Sequence, residues 1–113
     1  MIIVSESISL AELKKMAEER FGNMVKAVID VEKEIMAVDA ELHADEEALL
    51  LEKGSRQEDL WGINIYPEMS ENERIEFDSM INLRPSQGNR TRGVDAPEIR
   101  QKIIKIVNKR VKK

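Results

Sequence analysis

The chain has 113 residues, with no cysteine and only one histidine, His43. The absence of cysteine excludes disulfides, thiolate metal sites and a cysteine nucleophile, and it fits a protein of a reducing compartment. A single imidazole also excludes a zinc site built from several histidines of one subunit. Apolar runs such as Ala48–Leu51 are far shorter than the ~20 residues that span a bilayer, and no signal sequence is recognisable. We therefore expect a cytoplasmic protein that does not bind membranes.

Aromatic residues are also scarce, since the chain has two Phe, one Trp and one Tyr. Aliphatic side chains must therefore fill most of the core. The length is that of one domain, so we expect residues 1–113 to fold as a single unit.

Charge is distributed unevenly along the chain. Residues 1–83 contain 8 Lys or Arg and 20 Asp or Glu, a net charge of −12, whereas residues 84–113 contain 10 and 2, a net charge of +8. One interpretation is a basic surface for phosphate or nucleic acid. The other is a basic terminal helix that packs across an acidic body. The sequence leaves both open.

The clearest local pattern lies near the start of the chain. Ser9 followed by Glu12 has the spacing of a capping box, in which each side chain bonds the free backbone N–H of the other residue. Leu13 and Ala17 then lie on one apolar stripe, and Gly22 supplies a left-handed stop. The pattern predicts a helix over Leu10–Phe21.

Alternating apolar residues and turn residues predict the other elements. We predict strands at Met1–Ser5, Met24–Val31, Glu34–His43, Leu60–Tyr66 and Arg74–Arg84, a short helix over Glu46–Lys53 capped by Asp45, and a last helix capped by Asp95. The order β-α-β-β-α-β-β-α indicates an α+β fold. We expect a mainly antiparallel sheet of about five strands with the helices packed on one face.

The predicted faces of these elements define one core. The last strand should turn Phe77 and Ile81 inward and Asp78 and Asn82 outward. The predicted core list is Leu13, Phe21, Val25, Ile29, Val38, Leu42, Trp61, Ile63, Phe77, Ile81, Ile99, Ile103 and Val107.

Three stretches of the chain carry a sequence resemblance to a known family: Glu41–Glu47, Glu58–Asn64 and Phe77–Pro85. Together with Gly88-Asn89-Arg90 and the last helix, they resemble a family of small uncharacterised prokaryotic proteins, a domain of unknown function. The resemblance covers nearly the whole chain. It implies no activity, cofactor or catalytic residue.

The first candidate site is the segment from Arg84 to Gly93. It carries three guanidiniums with hydroxyl and amide groups between them, and arginine suits phosphate and carboxylate because its planar fork bonds two oxygens at once. The candidate ligand-binding residues are Arg84, Ser86, Asn89, Arg90 and Arg92. No Walker pattern is present, and we expect no cofactor. The alternative is a solvated loop whose arginines pair with the acidic body.

The second candidate site is acidic. On the predicted strand Glu34–His43, the side chains of Asp39, Glu41 and His43 would share one face. With Asp45 and Asp78, His43 could hold a divalent metal and activate a water. The alternative is an ordinary solvated acidic face.

Three functions follow from these observations. The first is a non-enzymatic binding or regulatory module that engages an anionic ligand or protein through the Arg84–Arg92 loop and the basic last helix. Nucleic acid, if bound, would be contacted mostly at phosphate, because stacking aromatics are few. The second is a metal-assisted hydrolase acting on a phosphate-containing substrate. The third is a structural or self-associating protein, which would form homo-oligomers.

Overall fold

The strands and helices of the computed structural model, which describes residues 1–113, have the following bounds. They are β1 Ile2–Val4, β2 Ile8–Ser9, α1 Leu10–Arg20, β3 Val25–Asp30, β4 Ile35–Val38, α2 His43–Glu52, β5 Leu60–Ile65, β6 Ile75–Glu76, α3 Pro97–Arg110 and β7 Val111–Lys112. Five strands form one antiparallel sheet in the order β1-β4-β3-β5-β6, and β2 pairs with β7 in a small parallel ribbon. The α+β fold with a five-stranded antiparallel sheet is thus confirmed.

The sheet is covered on both faces, because its central strands are apolar on both. Ala27 of β3 and Ile63 of β5 belong to a core cluster with residues of α1 and α3. Val28 and Leu60 point the other way and pack with Leu50 of α2. The expectation that all helices share one face is therefore wrong for α2, which lies on the face opposite α1 and α3.

The first helix cap is confirmed and the last one is not. The Ser9 hydroxyl accepts a hydrogen bond from the N–H of Glu12 at 3.1 Å, and the Glu12 carboxylate accepts one from the N–H of Ser9. At α3 the N-cap residue is Ala96, without a side-chain bond. The carboxylate of Asp95 is instead bonded by the N–H of Arg90 and the hydroxyl of Thr91, so the preceding loop uses the group expected to cap the helix.

Two predicted core residues lie at the surface. Phe21 is 40% exposed and Leu42 is 56% exposed. The strand expected over Glu34–His43 ends at Val38, because Asp39 adopts a left-handed φ of 72° that an extended strand cannot continue. His43 is therefore the first residue of α2, and Asp45 lies within the helix instead of capping it. None of the helices is long and apolar enough to cross a membrane.

The long strand expected over Arg74–Arg84 is also wrong. Only Ile75–Glu76 pairs with β5, and the chain then bends into a 3₁₀ turn over Met80–Asn82. Asn82 is fully buried, whereas Phe77 and Ile81 are only partly buried and Leu83 is 41% exposed. The expected inward and outward faces therefore do not persist past Glu76.

A side-chain amide replaces the missing strand partner. The Oδ1 atom of Asn82 accepts a hydrogen bond from the N–H of Gly62 at 2.8 Å, and its Nδ2 donates to the carbonyl of Gly62 at 2.9 Å. Nδ2 also donates to the carbonyl of Arg92. The backbone of β5 is thus satisfied at the position where a longer β6 would have paired, which explains why the chain can turn away.

Replacing Asn82 with Asp should destabilise the protein by roughly 3 kcal/mol, since a carboxylate would face two carbonyl oxygens in a buried site. The free energy of unfolding from urea titration measures the effect. Asn23→Asp, at an exposed turn position, is the matched control and should change stability by less than about 0.5 kcal/mol. Equal losses in the two variants would show that the Asn82–Gly62 pair contributes nothing specific.

Candidate functional site

Arg84, the first candidate ligand-binding arginine, bonds to the protein itself. Its guanidinium lies over the ring of Trp61, 4.3 Å from the centroid, and donates to the carbonyls of Gln57 and Leu60. These contacts attach the start of the Arg84–Arg92 loop to the beginning of β5 and the turn before it. Arg84 is half-buried there, and burial lowers the pKa of its guanidinium.

Asn89 organises the interior of the same loop. It is 3% exposed, and its Nδ2 donates to the carbonyls of Asn82, Thr91 and Gly93. Its Oδ1 accepts from the N–H of Asp95. The side-chain amide of Asn89 is thus bonded through both its nitrogen and its oxygen within the protein.

The remaining three candidate residues of the loop are exposed. Ser86 and Arg90 are at the surface, and the guanidinium of Arg90 forms no ion pair. Arg92 pairs with Asp78, with 2.8 Å between Nε and Oδ1. Of the three arginines, only Arg92 lies beside a cavity.

The three candidate metal ligands do not come together. His43 and Asp78 line one cavity, whereas Asp45 lines another beside Asp39 and Glu41. The structure contains no group of three His, Asp or Glu side chains that could hold a metal ion. The reason lies in the backbone, because the early end of β4 places His43 on a helix and not on a strand face with Asp39 and Glu41.

The cavity that His43 and Asp78 share, here called the polar cavity, has a volume of about 400 Å³. It lies on the α2 face of the sheet, between the amino end of α2, the strands β3, β5 and β6, and the turn after β6. Its lining residues are Met24, Lys26, Leu42, His43, Ala44, Asn64, Tyr66, Glu76, Asp78, Ser79, Met80, Ile81 and Arg92.

Strand register places three polar residues in one row along this cavity. Lys26 of β3 pairs with Asn64 of β5, which pairs with Glu76 of β6. Directly opposite residues of neighbouring strands have Cβ atoms about 5 Å apart and point to the same face. Lys26, Asn64 and Glu76, here called the polar row, therefore cross the cavity side by side.

The carboxylate end of the polar row is hydrogen-bonded within the protein. Glu76 Oε1 accepts from Asn64 Nδ2 at 2.8 Å and from the hydroxyl of Tyr66 at 3.0 Å. Asn64 is 6% exposed, yet its buried Oδ1 has no hydrogen-bond partner. An unpaired buried acceptor is costly, and this one belongs to a side chain that lines the cavity.

The cationic end of the polar row is also unpaired. Lys26 forms no ion pair, and its Nζ lies 5.4 Å from the centroid of the Phe21 ring. The neighbouring amino end of α2 begins after Leu42 without a side-chain cap. Free N–H groups and the helix dipole give such an end a partial positive charge.

His43 forms part of the same wall and is held in one orientation. Its Nε2 donates to the carbonyl of Ile63 at 2.7 Å, which leaves Nδ1 as the acceptor. Burial lowers the pKa of His43, and the charges of Lys26 and Arg92 act in the same direction against opposing contributions from Ile63 and Asp78. The imidazole is therefore neutral at pH 7.

Sequence reasoning missed Lys26, Asn64, Tyr66 and Glu76. Two signals were present, since Lys26 interrupts an apolar strand and Asn64 is the one polar side chain of Leu60–Ile65. Neither signal gives the strand register that brings these residues together.

A second titratable group of α2, the carboxyl of Glu46, is completely buried. Its Oε2 accepts from the N–H of Ala40 at 3.1 Å, and its Oε1 has no partner. Burial raises the pKa of the Glu46 carboxyl to about 9. Glu46 is thus a neutral carboxylic acid at pH 7.

The chain matches a known protein family over nearly its whole length. A family model described as "Protein of unknown function (DUF5674)" matches residues 2–110. No curated protein and no solved structure matches the chain.

Glu46→Gln should stabilise the protein at pH 7 and above. The folded pKa of about 9 exceeds the ordinary value of 4.5, so between these pH values the folded state holds a proton that the unfolded state has lost. Stability from this group is greatest below pH 4.5 and falls as pH rises toward 9. The variant removes that decline, and its amide oxygen can take the place of Oε2 as the acceptor for the N–H of Ala40.

Urea unfolding between pH 5 and 9 measures this difference, which should reach on the order of a few kcal/mol at pH 8. Glu18→Gln, at an exposed carboxyl, is the control and should show no such pH-dependent gain. A Glu46→Gln protein with the pH profile of the parent would contradict a protonated Glu46.

Proposed function

The chain belongs to the DUF5674 family, whose function is unknown, and we propose that it is a non-enzymatic binding module for a small anionic ligand held in the polar cavity. The observation that carries the proposal is the unpaired Lys26 at the wall of that cavity, beside the uncapped start of α2. An ammonium and free backbone N–H groups together provide both charge and hydrogen bonds for an anion.

The two acids of the cavity already have partners within the protein. Asp78 is paired with Arg92, and Glu76 accepts hydrogen bonds from Asn64 and Tyr66. Both carboxylates therefore have donors of their own. Lys26 is the one charged side chain of the cavity wall without an ion pair or hydrogen bond, and its contact with the Phe21 ring leaves its N–H donors for a ligand.

This proposal keeps the class of ligand that the sequence suggested and changes the site. Arg92 stays at the rim of the cavity, whereas Arg84 and Asn89 are bonded within the protein. The basic helix α3 lies on the opposite face of the sheet, where Lys102 and Lys105 form no ion pairs. Those two lysines define the competing anion site that an experiment must separate from the cavity.

We expect inorganic phosphate or acetate to cause saturable chemical-shift changes at the backbone amides of Leu42, His43 and Ala44. Two-dimensional ¹H–¹⁵N NMR titration measures both the location and the Kd. Lys26→Met should weaken binding about tenfold, because a charge-assisted contact is worth roughly 1.5 kcal/mol or more. Its melting temperature should remain close to that of the parent.

Lys105→Met is the matched control, since it removes an exposed lysine from α3 on the other face of the sheet. It should leave the phosphate Kd unchanged. Shift changes that map to Lys102 and Lys105 and disappear in Lys105→Met would place the anion on α3 and refute the cavity site.

A further inference from the structure

The polar row has opposite charges at its two ends. Lys26 and Glu76 lie on the same face of the sheet, separated by Asn64 of the strand between them. Neighbouring strands are about 4.8 Å apart, so the backbones of the two end residues are separated by roughly 10 Å. The two side chains form no ion pair with each other.

The acceptor in the middle of the polar row has no donor to bond with. The Oδ1 atom of Asn64 is buried without a partner, while its Nδ2 is directed to Glu76. A simple anion at Lys26 would leave this acceptor unpaired, since an anion such as phosphate or acetate accepts hydrogen bonds much more readily than it donates them. A ligand that satisfies the whole row must therefore carry a donor as well.

The charges of the cavity support the same conclusion. Lys26 and Arg92 provide two positive charges, and Glu76 and Asp78 provide two negative charges, while His43 is neutral. The cavity thus has no net charge, but its unpaired cation lies at the α2 end and its Glu76 carboxylate at the β6 end. Such an arrangement is complementary to a molecule with separated charges of its own.

We propose that the ligand of the polar cavity is dipolar, with an anionic group bound at Lys26 and the start of α2 and an ammonium or other N–H donor bound at Asn64 and Glu76. This inference rests on the proposed anion-binding function and adds the second half of the ligand. Chemically, the class is that of amino acids and related zwitterions, with a distance between the charges that matches the polar row.

A series of ω-amino acids tests both the dipolar character and the spacing. Glycine, β-alanine, γ-aminobutyrate and ε-aminohexanoate carry the same two groups at increasing separation, and butyrate and butylamine each carry one. NMR titration should give the tightest Kd for one of the longer amino acids. That Kd should be at least about tenfold tighter than those of butyrate and butylamine.

Two variants test which residue binds each end of the ligand. Glu76→Gln keeps the acceptor for Tyr66 and Asn64 but removes the charge, so it should weaken the best amino acid about tenfold and leave butyrate unchanged. Lys26→Met should weaken both ligands. Glu98→Gln, at an exposed carboxyl of α3, is the control and should weaken neither.

Each failure has a separate meaning. Butyrate binding as tightly as every amino acid, with Lys26 required, would overturn the dipolar ligand and leave the anion site in place. An unchanged Kd of the best amino acid in Glu76→Gln would also overturn it. The absence of saturable shifts with any of these compounds and with phosphate would refute the cavity as a binding site altogether.

Discussion

The Asn82–Gly62 pair is the constraint on which the shape of the polar cavity depends. Its two hydrogen bonds satisfy the backbone of β5 where no strand lies beside it, so the chain after Glu76 is free to cross toward α2. Gly62 is required for this approach, because a Cβ atom there would lie 2.6 Å from Cβ and Oγ of Ser79. Ser79 in turn lines the cavity. A regular β6 strand would have left this part of the sheet open.

The Arg84–Arg92 loop shows why a pattern of charges in the sequence does not by itself identify a binding surface. Arg84 and Arg92 are both arginines of a basic segment, but one donates to main-chain carbonyls over a Trp ring and the other pairs with Asp78. Only the charge of Arg92 is neutralised, by a carboxylate fourteen residues away in sequence. Of the two interpretations of the charge asymmetry, internal pairing accounts for Arg92, whereas Arg90 has no such partner.

What the sequence could predict was determined by the range of the interactions. The Ser9–Glu12 box, α1 and the central strands depend on contacts within a few residues or on apolar alternation, and they were predicted correctly. The end of β6 was predicted wrongly, because it depends on a contact between Asn82 and Gly62, which are twenty residues apart. The polar row requires the pairing register of three strands, which no local pattern of Lys26, Asn64 or Glu76 encodes.

The two titratable residues that α2 buries affect the cavity by remaining uncharged. Burial lowers the pKa of His43 and raises that of Glu46 to about 9, so at pH 7 the inner face of the helix carries no charge. Because charges in a partly buried site act over several ångströms, a charged residue at either position would change the attraction at Lys26. With both neutral, the separation of charge along the polar row is set by Lys26 and Glu76, whose positions follow from strand register. The separation of charge on which the proposed ligand binding rests is therefore set by the sheet, and the inner face of α2 adds no charge beside its free N–H groups.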